Sequence, residues 1–457
     1  SIQVLESDGT TTTENRTLYR TQYGPIVKMS VGGIPVLSWD RLRAYTMRDA
    51  NAENDRLMNQ FFAWNTAPDL TTFKQEHADI LGVPWVNTVA AGPNQSVYYG
   101  DLSVVPNVPD SLVAECKAPI ISALLASAAP GLPLLQGNRS ECAWLNDDGA
   151  PDGIFGAGHL PSIERQDWVA NMNDSYWLTN PQQPLTGYAR IIGDENAERT
   201  LRTRLGIRQI QQRLDGSDGL TGTKFTYDQL KQIVLGSRIY SGELARETVH
   251  ADLCPKAGNT DTSAACAGLE AWDGRANLES RGAHVWIEFW RRLIGVDGIW
   301  KTPFSAASAV DTPRDLDTSK SAVRKALVDA QAAIAATGIP YDAAFGTVQH
   351  SGVQGSSNPA PIFGSEGSVG AFTVADSDGL TADGYHVNYG NSYIQAVTWE
   401  NGAVHAEGFI TYSESTDPAN PHYQDFTARY SQKQWLPLPF TDAAIAADSP
   451  TTVQLSE

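Results

Sequence analysis

Few residue spacings in this sequence match a general catalytic pattern. Gly156-Ala157-Gly158 is followed by His159-Leu160-Pro161, which fails the glycine spacing that cradles a dinucleotide pyrophosphate. No Gly-x-Ser-x-Gly elbow, no phosphate loop ending in Gly-Lys-Ser/Thr and no His-Glu-x-x-His helix occurs. The eight histidines are scattered. His284, beside Trp286 and Trp290, reads as a packed core histidine, and His422 in Pro421-His422-Tyr423 as a hydrogen-bonded loop residue. The four cysteines form two sequence-local pairs, Cys116 with Cys142 and Cys254 with Cys266. Four cysteines allow three connectivities. Local pairing favours those two bridges, and four buried thiols in a reducing compartment are the alternative. No Cys-x-x-Cys or closely spaced histidine pair suggests zinc. By residue type alone, Asn171-Met172-Asn173-Asp174-Ser175 reads as a loop holding an Asx turn.

The elements that must position these residues change character along the chain. Arg16 to Thr21 and Ile26 to Val31 read as strands around the turn Tyr23-Gly24-Pro25. From Glu53 to Thr66 the periodicity is helical, with Leu57, Met58, Phe61 and Phe62 on one apolar face. Asp69 can N-cap a helix reaching about Leu81, which Gly82-Val83-Pro84 ends. Trp85 to Ala90 and Ser96 to Tyr99 read as paired strands, and Pro119 to Ala129 as a core helix. Residues 194 to 338 are mainly helical, with helices expected over Glu198–Leu214, Arg281–Leu293 and Ser319–Thr337, the last capped by Gly338. Ser392–Trp399 and Ala403–Tyr412 return to strand, and Gly352 to Ser368 reads as a loop. Strands, then helices, then strands, without βα alternation, exclude a doubly wound sheet and predict an α+β fold.

Composition bounds the partners. The 457 residues carry 33 basic and 52 acidic side chains, a formal charge of −19. Such a surface repels phosphate backbones and anionic lipid, so nucleic acid is not an expected partner. No run approaches the ~20 apolar residues of a membrane span, so membrane insertion is not expected. The first residues, Ser1-Ile2-Gln3-Val4-Leu5-Glu6-Ser7, lack the basic and apolar regions of a signal peptide. A hydrophobic share of 41% with 12 tryptophans predicts a packed core rather than disorder.

Several stretches, in order, resemble the β-chain of the penicillin acylase family, above all its acyl-homoserine lactone and aculeacin-type acylases. They are Tyr23-Gly24-Pro25, Tyr45 to Asn51, Gly82 to Thr88, Asn171 to Ser175 with Trp177 to Asn180, Gly390 to Gln395, and Asn420 to Asp425. Each is weak alone; their order through nearly the whole chain is specific. The resemblance implies an N-terminal nucleophile hydrolase with a four-layer αββα core and an added helical region. Residues 1–457 would then form one acylase β-chain domain that lacks roughly its first hundred residues, with the helical region 194–338 inside it. A serine at the start of the family β-chain attacks an amide, its own α-amine acting as base. The tetrahedral intermediate needs aimed donors.

By the same resemblance, Asn173 is an oxyanion donor, and Arg199, in Glu198-Arg199-Thr200, orients that asparagine and the serine amine. Phe61, Trp85 and Val86 fall on family positions that wall the acyl pocket, and the two cysteine pairs fall on family disulfides. No cofactor and no metal is implied. Ser1 departs from the pattern: no Gly-Asn-Pro-His segment follows it, and Ser1-Ile2-Gln3-Val4 matches a strand well inside the family β-chain. The nucleophile is therefore expected on a separate N-terminal β-segment which, with the α-chain of the same precursor, is the expected partner. The implied reaction releases an acyl chain from N-acyl-homoserine lactones, silencing quorum signals, with β-lactams as possible further substrates. A penicillin or lipopeptide acylase is the alternative within the family, and a non-catalytic acyl-ligand binding protein the alternative outside it. The even, locally arranged cysteines fit a periplasmic or secreted protein.

Overall fold

The computed structural model describes residues 1–448 apart from 32, 120, 130, 255–261 and 353–357, together with 451, 453 and 454. The backbone divides into two compact units: Ser1–Asn171 with Ser175–Glu195, and Met172–Asp174 with Asn196–Glu457.

The first unit begins with an exposed antiparallel hairpin, Ile2–Leu5 against Thr11–Glu14. Strand Gly24–Val27 then runs between Arg20–Thr21 and Tyr45–Thr46. The strand expected from Arg16 thus begins only at Arg20. Gly24 has φ 144°, and a Cβ there would lie 2.0 Å from the Met47 carbonyl oxygen, so the Tyr23-Gly24-Pro25 turn requires glycine. Helix Leu57–Thr66 packs against helix Leu70–Ile80. Asp69 N-caps the latter as expected, its carboxylate accepting from Thr72 N at 2.8 Å. Leu81 then takes the left-handed conformation that ends it. The expected strand pair is present as Thr88–Ala90 against Val97–Gly100, extended by Ser162–Arg165. The Cys116–Cys142 disulfide is formed, and both cysteines pack with Val108 and Leu112.

The helix Leu57–Thr66 departs from its periodicity. Its one buried residue is Gln60, while Met58, Phe61 and Phe62 are exposed. Gln60 is drawn inward because its side chain satisfies backbone: Nε2 donates to Glu76 O at 3.2 Å, and Oε1 accepts from Gly82 N at 3.2 Å. A buried carbonyl or N–H left without a partner costs roughly 1–3 kcal/mol, which the two bonds to Gln60 avoid.

In the second unit, helices at Leu201–Asp215, Tyr240–Leu253, Ser263–Glu270, Ala283–Arg291 and Ser321–Thr337 surround one large core, while Tyr227–Val234 packs through Val234 on a smaller one around Phe363, Phe409 and Tyr430. Ala283–Arg291 is buried over eight of its nine residues. Trp286 stacks on Trp272 and Trp290 with ring centroids 5.2 and 6.0 Å apart. Val323, Leu327 and Ile334 belong to the same core. Each such side chain contributes roughly 1.5–3 kcal/mol by leaving water. His284 is fully buried there, and burial lowers its pKa to about 4. Gly338 caps Ser321–Thr337 at φ 77°, as expected. The second disulfide, Cys254–Cys266, is formed. Tyr393–Glu400 and Ala403–Ile410 make an antiparallel hairpin closed by Asn401 and Gly402, both at positive φ, the backbone that two-residue hairpin turns demand. The expected loop over Gly352 to Ser368 lies in part outside the described residues.

Among the described residues there are seven sheets of two or three strands, and within them the one parallel strand pair is Gln349–Ser351 with Tyr385–Gly390. Helices with small, mostly antiparallel sheets make this an α+β protein.

Candidate active site

The segment Met172–Asp174 is part of the second unit and is held by the N-terminus of helix Leu201–Asp215. Thr200 N-caps that helix, its hydroxyl accepting from Thr203 N at 3.2 Å. The Asp174 carboxylate occupies the same helix end. Its Oδ2 accepts from Thr200 N at 3.0 Å and from Thr200 Oγ1 at 2.9 Å, and its Oδ1 faces Arg199 NH1 at 3.3 Å. Unpaired N–H groups and the positive dipole end make this a favourable place for a carboxylate. Arg199 is 3% exposed and also donates from Nε to Ala197 O at 3.0 Å.

Asn173 sits at φ 63°, the left-handed region that asparagine tolerates better than most residues. Its Oδ1 accepts from Arg202 NH2 at 2.9 Å. Because the amide is planar, fixing its oxygen on a guanidinium also fixes the direction of Nδ2, the donor end. Burial pulls the Arg202 pKa down, and the nearby Asp174 and Asp376 oppose this. Beneath Asn173, Met172 is buried against the helix at Gly206. A Cβ on Gly206 would lie 2.3 Å from Met172 Cε, so this mid-helix glycine permits the close approach.

Asn173 and Arg199 are therefore brought together through Asp174, whereas the guanidinium on the Asn173 amide oxygen belongs to Arg202. Asp174, Thr200 and Arg202 were missed by sequence reasoning. One signal was available: Arg199 and Arg202 flank a helix N-terminus, where cations are unfavourable unless an anion compensates. Phe61, Trp85 and Val86 lie in the first unit and are 44%, 76% and 44% exposed. The Phe61 ring meets Trp64 edge-on at 5.5 Å. Ser1 is exposed, and its hydroxyl donates to Asn15 Oδ1 at 2.8 Å. Ser175 belongs to the first unit, where its hydroxyl donates to the Asp194 carbonyl. Among the described residues no group of three or more His, Cys, Asp or Glu side chains is arranged to hold a metal ion.

A neutral amide held by a cation, at a backbone bend braced by a helix terminus, is a donor suited to a transient oxyanion. The whole chain is also similar to known proteins in sequence and in fold. Residues 1–447 match the penicillin amidase family, and the chain belongs to that family. It is 38% identical over 446 residues to the aculeacin-A acylase of Actinoplanes utahensis, covering 95% of this chain and 55% of that protein. It is 34% identical over 462 residues to the acyl-homoserine lactone acylase PvdQ of Pseudomonas fluorescens strain Pf0-1, covering 99% and 57%. The PvdQ of Pseudomonas savastanoi pv. phaseolicola is 32% identical, with 100% and 57% covered. The chain thus spans a little over half the length of these relatives. A thermostable penicillin G acylase from Alcaligenes faecalis superposes with a TM-score of 0.54 at 14% identity, over 100% of this chain and 81% of that one, which places both in one fold.

Proposed function

We propose that the protein carrying this chain hydrolyses the amide of N-acyl-homoserine lactones, with β-lactams bearing apolar acyl groups as further substrates. The observation that carries this reading is the Asn173 amide, its oxygen accepting from Arg202 at 2.9 Å and its backbone held at φ 63°. The nucleophile is an N-terminal serine on a separate segment of the same precursor, which also supplies the α-chain. That serine's α-amine, with an ordinary pKa of about 7.7–8.0, takes the hydroxyl proton as oxygen attacks the carbonyl carbon. The carbonyl oxygen becomes an oxyanion and accepts from Asn173 Nδ2. The amine product then departs with the proton, and water releases the acyl group from the serine ester by the same route. Arg199 acts through Asp174 and Arg202 acts on the amide oxygen; both are positioning residues.

Phe61, Trp85 and Val86 wall the acyl pocket. Their exposure supports this, since large apolar side chains outside a core gain by covering an acyl chain, at roughly 0.8 kcal/mol per methylene. A binder without chemistry has no use for a braced oxyanion donor. The second reading within the family, a lipopeptide acylase of the aculeacin type, is favoured by the 38% identity to such an enzyme. Both readings share the same steps and differ in the amine half of the substrate. The two disulfides suit an oxidising compartment, so the site of action is proposed to be periplasmic or extracellular.

The test is acyl release by the processed protein from two ladders, homoserine lactones and a cyclic lipopeptide series, at matched acyl lengths. Higher kcat/KM on the lactones supports the first reading, and higher kcat/KM on the peptides replaces it with the second. No release from either ladder removes the acylase assignment.

A further inference from the structure

A cavity of about 420 Å³ lies in the second unit, between the end of helix Tyr227–Val234 and the segment around Lys433. Four of its lining residues are cations, Lys231, Arg238, Arg275 and Lys433, against one carboxylate, Asp218. In a chain of formal charge −19 this is a local inversion of sign. Three of the five charges are already matched. Lys231 meets Glu407 at 2.5 Å, Arg238 forms a fork with Glu243 at 2.6 and 2.7 Å, and Asp218 faces Arg213 at 3.2 Å.

The remaining two bond neutral oxygens. Arg275 NH1 donates to Gly236 O at 2.6 Å, and Lys433 Nζ donates to Leu235 O and Asn277 Oδ1, both at 2.9 Å. Successive carbonyls therefore hold the two cations side by side. Burial, and then the charge of Arg275, lower the pKa of Lys433, with Glu279 opposing. Lys433 has three N–H donors and Arg275 five, so donors remain on both after these bonds. The rest of the lining includes Leu220, Ile233, Leu235 and Trp435. A pocket of a few hundred Å³ with apolar walls and a few convergent polar groups has the usual make-up of a small-molecule site.

We propose that this cavity binds a small organic carboxylate, its oxygens bridging Arg275 and Lys433 and its apolar body lying against Trp435 and Leu235. A carboxylate accepts from both cations at once and relieves their mutual repulsion. The site is separate from the Asn173 segment and takes no part in amide hydrolysis.

The test uses the whole processed protein and 4-fluorobenzoate, followed by 19F NMR at low salt. Saturable binding is expected, weakened at least tenfold in Lys433→Met and in Arg275→Gln but much less in Arg275→Lys. The neutral 4-fluorobenzamide should bind at least tenfold more weakly than the acid. Because an acylase site can itself hold a carboxylate, the variants assign the location. A soak with 4-bromobenzoate, located by anomalous scattering, does so without any variant. Equal binding of acid and amide, undiminished binding in folded Lys433→Met and Arg275→Gln, or bromine density only elsewhere would overturn the proposal. The two cations would then serve only to bond the carbonyls at the helix end.

Discussion

Replacing Asn173 separates its chemical role from its backbone role. At φ 63° an alanine meets the left-handed penalty of roughly 1–2 kcal/mol, whereas glycine does not. Both Asn173→Ala and Asn173→Gly remove Nδ2 and the bond from Arg202. Loss of one oxyanion donor costs about 2.7–4 kcal/mol in the transition state, or 10²–10³ in kcat. The two variants should therefore lose kcat alike, with KM little changed, because the donor acts on charge that appears only in the transition state. Their stabilities should differ, the glycine variant being more stable than the alanine variant by about 1 kcal/mol. The assay is steady-state acyl release by processed protein, with thermal unfolding beside it. A kcat within threefold of the parent in Asn173→Gly would refute the donor assignment. Loss of activity in the alanine variant alone would show that backbone distortion, not the missing amide, was responsible.

Arg202→Met should lower kcat by about tenfold, since a hydrogen bond to a charged group contributes about 1.5–3 kcal/mol and only part of it acts on alignment. Arg202→Lys should recover part of that loss, and parental kcat in both variants would show that Asn173 needs no such hold. Trp85→Ala should lower the long-to-short ratio of kcat/KM across an acyl ladder by about tenfold, less than two methylenes' worth at ~0.8 kcal/mol each; an equal loss at every length removes Trp85 from the pocket. Converting both Cys116 and Cys142 to serine should cost about 3.5 kcal/mol by loop closure over the 26-residue separation, read from unfolding midpoints. His77 and His284 are held neutral by burial, with pKa values lowered to about 4. The unfolded chain takes up their protons first, so their contribution is complete above about pH 6.5 and falls as pH drops towards 4. Between pH 7 and 5 each should cost about 2 kcal/mol, and His77→Gln should show a correspondingly smaller drop in unfolding midpoint over that range.

Local features were legible in the sequence because neighbouring residues determine them. Asp69 reads as an N-cap, Gly338 as a C-cap, and the strands at Tyr393–Glu400 and Ala403–Ile410 by their pattern, and each is found within a few residues of its expected bounds. The cysteine pairing was legible for the same reason, since each bridge closes a short loop. The Asn171–Ser175 segment stood out by family resemblance, but its residue types alone read as an ordinary turn. Tertiary structure decided what holds that segment. Arg202 reaches Asn173 across 29 positions, and Asp174 reaches Thr200 across 26. No periodicity encodes either contact, because each depends on where a helix end is docked. The same holds for Leu57–Thr66, where apolar spacing put Phe61 on a shared apolar face, yet backbone groups at Glu76 and Gly82 bond Gln60 inside and the aromatics lie outward. Sequence alone determines which faces are apolar and which residues can cap. Which face is buried depends on polar groups that distant segments leave to be satisfied, and only the folded chain sets those.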